Sequence, residues 1–163
     1  MLYNTSARDN IWYGDLSTEG DKERIERSAH KSGIAPVFEN LKEGYDTALG
    51  NLFPDSEMLS QGEWQRTALA RSFYSKAGII ILDEPTSSLD AFTEASLVDN
   101  FREITQGRTA IIISHRLSTI RDSDKIVVVK DGVIAEAGSH DELLAEGGEY
   151  YKLYQNQFAG VAT

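Results

Sequence analysis

A chain of 163 residues, 40 % hydrophobic and 26 % charged, has the size and balance of one globular domain rather than of a disordered chain. Its 16 basic and 26 acidic residues leave a formal charge of −10, which argues against nonspecific binding to nucleic acid or to an anionic membrane. The absence of cysteine excludes a disulfide framework, a thiolate nucleophile and a cysteine zinc site, and no apolar run approaches the ~20 residues that cross a bilayer, so the chain as it stands reads as soluble.

Residues 1–75 read as mostly helical. Asp21–Ser32 is a charge-rich helix with Ile25 and Ala29 one turn apart on one face; Gly33 ends it and Pro36 sits near the start of the next short segment. Gly44 to Pro54 is a turn-rich connection. Ser60-x-x-Glu63 is a capping box that opens a further helix, with Leu69, Ala70 and Phe73 on its apolar face. Alone, such a box marks a helix start and nothing more.

Residues 76–163 alternate apolar runs with amphipathic stretches. Ile79–Leu82 and Thr109–Ile113 read as strands buried on both faces, separated by a helix over Phe92–Ile104 with Leu97, Phe101 and Ile104 at helical spacing. Ile126–Val129 is a third strand, and Lys130-Asp131-Gly132-Val133 is a hairpin turn. A second capping box, Ser139-x-x-Glu142, opens a C-terminal helix through about Gln157. The alternation indicates an α/β fold with a parallel sheet covered on both faces.

The first strand runs directly into Asp83-Glu84-Pro85. Ligands of open parallel sheets bind beyond the carboxyl ends of the strands, and adjacent carboxylates there are costly unless a cation or a proton donor meets them. A hydrated Mg²⁺ on Asp83, with Glu84 polarising a water, suits phosphate chemistry; a plain solvated turn is the other reading of the tripeptide. The second strand ends in Ser114-His115-Arg116. If the strands are parallel neighbours, His115 emerges on the same edge as the carboxylates; taken alone, it reads as a structural histidine. His30 and His140 read as surface residues.

Leu59-Ser60-Gln61-Gly62-Glu63-Trp64-Gln65-Arg66, followed by Ala68-Leu69-Ala70-Arg71, resembles the signature motif of ATP-binding cassette (ABC) proteins. Ile79–Pro85 resembles the Walker B strand with its catalytic glutamate, Ser88-Leu89-Asp90 the D-loop, and Ser114-His115-Arg116 the switch histidine. Ala7–Ile11, Gly44–Gly50 and Asp131–Leu143 are similar to segments of exporter-type cassettes, so the resemblance covers essentially the whole chain. It implies a partial P-loop NTPase (RecA-like) core over 76–163 and a helical subdomain carrying the signature helix over 1–75. It also implies ATP and Mg²⁺ as ligands, and residue roles follow from it: Ser60, Gln61, Gly62 and Glu63 form the signature contact with ATP held by the opposite subunit. Asp83 holds Mg²⁺ through water, Glu84 activates the attacking water, His115 hydrogen-bonds the γ-phosphate and Asp90 links the two sites. The implied partners are a second nucleotide-binding domain and the transmembrane domains of an exporter, at the cytoplasmic face of the membrane, with no nucleic acid.

Two positions depart from the pattern. Gln61 stands where glycine is usual. Glu63 replaces the commoner glutamine, for which the capping box gives a structural reason, and Trp64 beside it suggests a bacterial exporter subgroup. The chain holds no G-x-x-x-x-G-K-[ST] (Walker A), and the Q-loop glutamine and adenine-stacking aromatic have no match. It therefore reads as the C-terminal part of a cassette, or as a naturally shortened product, inactive alone. The alternatives are a noncatalytic partner donating the signature motif in trans, or a soluble ABC ATPase unrelated to transport.

Overall fold

The computed structural model describes residues 3–89 and 91–158. Packing divides the chain into two units, one up to Ile113 and one from Ser114 onward. In the first, α1 (Ala7–Trp12), α2 (Lys22–Ser32) and α3 (Ala35–Glu39) precede the long α4 (Gln61–Tyr74). Each start has a local cause. Ser6 and Asp21 accept hydrogen bonds from the amides of Asp9 and Arg24, and Pro36 occupies the first turn of α3. Gly33 closes α2 in the left-handed conformation, φ 72°, which glycine adopts without a Cβ penalty.

Helix α4 is the hub of this unit. Trp64, Ala70 and Tyr74 pack with Ala7 and Ile11 of α1, Ile25 and Ala29 of α2, and Phe38 of α3. Leu69 and Phe73 instead join Ile80, Leu82, Leu97, Phe101 and Ile104 in a second cluster. The latter come from β1 (Ile79–Asp83) and α5 (Ala91–Thr105). Because α4 feeds both clusters, the packing boundary falls after Ile113 and not after residue 75. Gly14 is required by close approach: a Cβ there would lie 2.1 Å from the Arg71 carbonyl oxygen, while the Arg71 guanidinium donates to the Asn10 carbonyl (2.7 Å) and Oδ1 (3.0 Å).

Strand β1 pairs in parallel with β2 (Thr109–Ile113), in register from Ile79 opposite Thr109 to Asp83 opposite Ile113. The expected burial on both faces is not what this unit provides. Ile80 and Leu82 enter the second cluster, whereas Ile79, Ile81, Ile111 and Ile113 are 62 %, 64 %, 48 % and 52 % exposed. Alternate strand residues point to opposite faces, and among the described residues only the face of Ile80 and Leu82 packs against helices.

The second unit contains α6 (Leu117–Ile120), the hairpin β3 (Ile126–Lys130) and β4 (Val133–Gly138), α7 (His140–Glu146) and α8 (Glu149–Phe158). Leu117, Ile126, Leu143 and Tyr150 form its core. The third strand pairs antiparallel with β4 rather than joining the parallel sheet. The turn explains this: Asp131 and Gly132 both have positive φ (50° and 79°), which matches the twist of a two-residue hairpin. The single C-terminal helix read from the sequence is two helices. Gly147, φ 67°, ends α7, and the Glu136 carboxylate accepts the Glu149 and Tyr150 amides at the start of α8. Glu149 is itself held down to about 2 by hydrogen bonds from Lys152 and Lys130. His140 is not simply a surface residue: it is half-buried, with Nδ1 2.8 Å from the Tyr150 hydroxyl.

Candidate functional site

The amino end of α4 is built by the capping box. The Ser60 hydroxyl accepts the Glu63 amide (3.4 Å), and Glu63 Oε2 accepts the Ser60 amide (2.7 Å). These hydrogen bonds, the backbone one first, hold the Glu63 carboxyl below its ordinary value. The carboxylate is thus turned back on the helix start. Ser60 and Gln61 stay exposed and Gly62 is half-buried. Such an end carries free amides and the positive pole of the helix dipole, a suitable place for an anion.

The carboxyl end of β1 presents the acidic pair. Asp83 is exposed and Glu84 half-buried. The chain turns sharply at Glu84, whose φ of 47° lies in the left-handed region, uncommon for a residue with a Cβ. Its N–H donates to the Ile113 carbonyl (2.8 Å), and its own carbonyl accepts the Ser87 amide (3.2 Å). Thr86 is fully buried in this turn.

Helix α4 and this turn are in direct contact. A Cβ on Gly62 would lie 3.2 Å from the Ser88 carbonyl oxygen. One turn further on, Gln65 Nε2 donates to the Glu84 carbonyl (2.7 Å) and to the Ser87 hydroxyl (3.2 Å), and Oε1 accepts the Ser88 amide (3.2 Å). Gln65 lies three residues after Gly62 on the same helix face, and no sequence signal marks it as a partner of residues 84–88, which lie 19 to 23 residues further on.

The first unit therefore brings the Ser60–Glu63 helix start and the Asp83-Glu84 pair onto two elements joined through Gln65. His115 belongs to the second unit. It is exposed, and its carbonyl accepts a hydrogen bond from Gln157 Nε2, while Gln157 Oε1 accepts the Leu117 amide (3.0 Å). Asp90 lies outside the described residues. Among the described residues, no group of three or more His, Cys, Asp or Glu is arranged to hold a metal ion, and no helix is long and apolar enough to cross a membrane.

Residues 1–87 match the family model described as ABC transporter. The chain is 46 % identical over 158 residues to an ATP-dependent lipid A-core flippase of Syntrophus aciditrophicus (strain SB), covering 97 % of this chain and 26 % of the flippase. It is 40 % identical over 157 residues to the nisin transport ATP-binding protein NisT of Lactococcus lactis subsp. lactis, covering 96 % of this chain and 26 % of that protein. A solved bacterial Atm1-family ABC exporter with ATP bound matches its fold with a TM-score of 0.83 at 38 % identity, over 96 % of this chain and 26 % of the exporter. The chain thus spans about a quarter of the length of these relatives.

Proposed function

The chain belongs to the ABC transporter family, and from that premise we propose that it serves as part of the nucleotide-binding subunit of an exporter, coupling ATP binding and hydrolysis to transport across a membrane. The observation that carries this reading is the match to exporters over nearly the whole chain. The acidic pair at the carboxyl end of a parallel strand supports it.

In this reading the exposed start of α4, with Ser60, Gln61 and Gly62, receives the γ-phosphate of ATP held by a second nucleotide-binding domain in a homo- or heterodimer. Its amides and dipole offset the phosphate charge, and Glu63 keeps them in place by capping the helix. Glu84 takes the proton of the attacking water, since a carboxylate poised there acts in the chemical step. His115 donates a hydrogen bond to the γ-phosphate, and Asp90 links the two sites. Mg²⁺ fits the donor set: Asp83 offers one exposed carboxylate, and Mg²⁺ is commonly held by one or two carboxylates, water and substrate phosphates rather than by a protein cage. When bound, the ion neutralises charge on the β- and γ-oxygens.

The sequence contains no phosphate-cradling loop, so this function needs one from elsewhere in the assembly. The open face of β1 and β2, with Ile79, Ile81, Ile111 and Ile113, is the surface on which the part carrying that loop packs. Membrane attachment comes through transmembrane domains, with the subunit at the cytoplasmic face. The missing loop also favours a second reading, in which the chain donates Ser60 and Gly62 in trans to a complete cassette and hydrolyses nothing itself.

The test is Mg²⁺-dependent ATP hydrolysis by this chain alone and by the assembly that adds the loop and the membrane domains. The reading expects none from the chain alone and turnover from the assembly. Turnover by the chain alone contradicts it, and turnover indifferent to the membrane domains favours a soluble ATPase.

A further inference from the structure

We propose that Gln65 is a positioning residue for Glu84: its side-chain amide clamps the turn after β1 and so sets the direction of the Glu84 carboxylate. The inference rests on the reading of Glu84 as the base that activates water.

The geometry uses both ends of the amide. Nε2 meets the Glu84 carbonyl at 2.7 Å and the Ser87 hydroxyl at 3.2 Å, and Oε1 meets the Ser88 N–H at 3.2 Å. The orientation is determined by its partners, because a carbonyl can only accept and an N–H can only donate. One side chain therefore holds three contacts, at residues 84, 87 and 88, and it is the backbone of Glu84 itself that is held. That backbone is in the left-handed region, φ 47°, a conformation that persists in a non-glycine residue only when its surroundings enforce it. The Glu84 N–H to Ile113 carbonyl bond, 2.8 Å, fixes one side of the residue and Gln65 fixes the other. Gly62 completes the contact: its missing side chain lets α4 approach the Ser88 carbonyl, where a Cβ would stand at 3.2 Å.

Gln65 is half-buried on an otherwise well-anchored helix, so its removal acts on the turn rather than on the core. A base must lie within about 2.6–3.2 Å of the proton it takes, and a displacement of about 1 Å can cost on the order of a hundredfold in rate. Loss of the clamp is thus expected to lower kcat and leave ground-state ATP binding alone.

Two variants make the test. Gln65→Met keeps the volume and removes all three hydrogen bonds. Gln65→Glu keeps an acceptor for Ser88 and sets an oxygen against the Glu84 carbonyl. In this chain, Gln65→Met is expected to speed hydrogen exchange of the Ser88 amide by about tenfold or more, without changing exchange in the middle of α4. In the ATP-hydrolysing assembly, both variants are expected to lower kcat by roughly tenfold to a hundredfold with the KM for ATP within about twofold. Unchanged Ser88 exchange, unchanged kcat, or a loss confined to KM overturns the proposal. If Gln65→Met fails to fold, Gln65→Glu alone decides it by kcat and KM, since it keeps the acceptor for the Ser88 amide. Glu84→Gln measured beside them separates the two ideas. Turnover that survives Glu84→Gln removes the base assignment and the proposal with it. Turnover abolished by Glu84→Gln but untouched at Gln65 overturns the positioning role alone.

Discussion

Replacing Ile81 by threonine and, separately, Leu82 by alanine alters neighbouring residues of one strand that point to opposite faces of the sheet. Ile81 is 64 % exposed and Leu82 6 %. Full burial of such a side chain contributes about 1.5–3 kcal/mol, so Ile81, with nearly two-thirds of its surface in water, realises at most about 1 kcal/mol. Threonine keeps the β-branched shape that strands favour, and the expected cost of Ile81→Thr in this chain is about 0.5 kcal/mol or less. Leu82 packs with Leu69, Phe73, Leu97 and Phe101, and its truncation loses that burial and leaves a cavity, at a cost of about 2–5 kcal/mol. With a urea slope of ~1–3 kcal/mol per molar, Leu82→Ala moves the unfolding midpoint by about 1 M or more, and Ile81→Thr by a few tenths. Tryptophan fluorescence is the assay, since Trp12 and Trp64 are the only tryptophans and both lie in the first unit. Equal losses would mean instead that the chain covers both faces of β1 by itself. In the transporter assembly the proposed packing makes Ile81→Thr a core substitution as well, and the two costs converge.

The open face and the free edges of a two-stranded sheet are recognised association sites, so the chain is expected to self-associate in sedimentation as concentration rises, and Ile81→Lys to suppress this; a wild-type chain that stays monomeric throughout argues otherwise. Glu63→Ala is expected to cost about 0.3–1.5 kcal/mol at neutral pH through loss of the capping box. The Ser60 hydrogen bonds depress the folded-state value of the Glu63 carboxyl, so its contribution is complete above the unfolded value of ~4.3 and is lost as pH falls through the lower folded value. A wild-type advantage that persists unchanged into strong acid would count against the box. Gly147→Ala is expected to destabilise the second unit by about 1–2 kcal/mol, read by near-ultraviolet circular dichroism of Tyr150 and Tyr154; a Cβ there meets nothing within 4 Å, so the cost comes from the backbone at φ 67° and no change would show that this conformation is not needed.

The elements with local causes were legible in the sequence. Both capping boxes form, at Ser60 with Glu63 and at Ser139 with Glu142; Gly33 ends its helix, and Asp131-Gly132 turns its hairpin. The run Ile79–Leu82 departs from its sequence expectation for a physical reason. Both of its faces are apolar, so its composition expects cover on both sides, and whether a second layer is present depends on contacts far along or outside the chain. The break at Gly147 is obscured in the sequence, because helical sequence continues on either side of it. Gln65 was hidden because its partners lie 19 to 23 residues away, a relation that only the fold creates. The place of Asp83 and Glu84 at a strand end is legible in the sequence, and the parallel register of β1 with β2 puts them at the kind of edge where open parallel sheets bind ligands.

Whether Glu84 serves ATP hydrolysis is decided by steady-state turnover of the proposed assembly carrying Glu84→Gln, with ATP binding and dimerisation measured on the same preparation. Hydrolysis is expected to be abolished while nucleotide binding and dimer formation stay close to wild type, because a base acts in the chemical step and not in holding ground-state ATP. Turnover near the wild-type rate in that variant would contradict it.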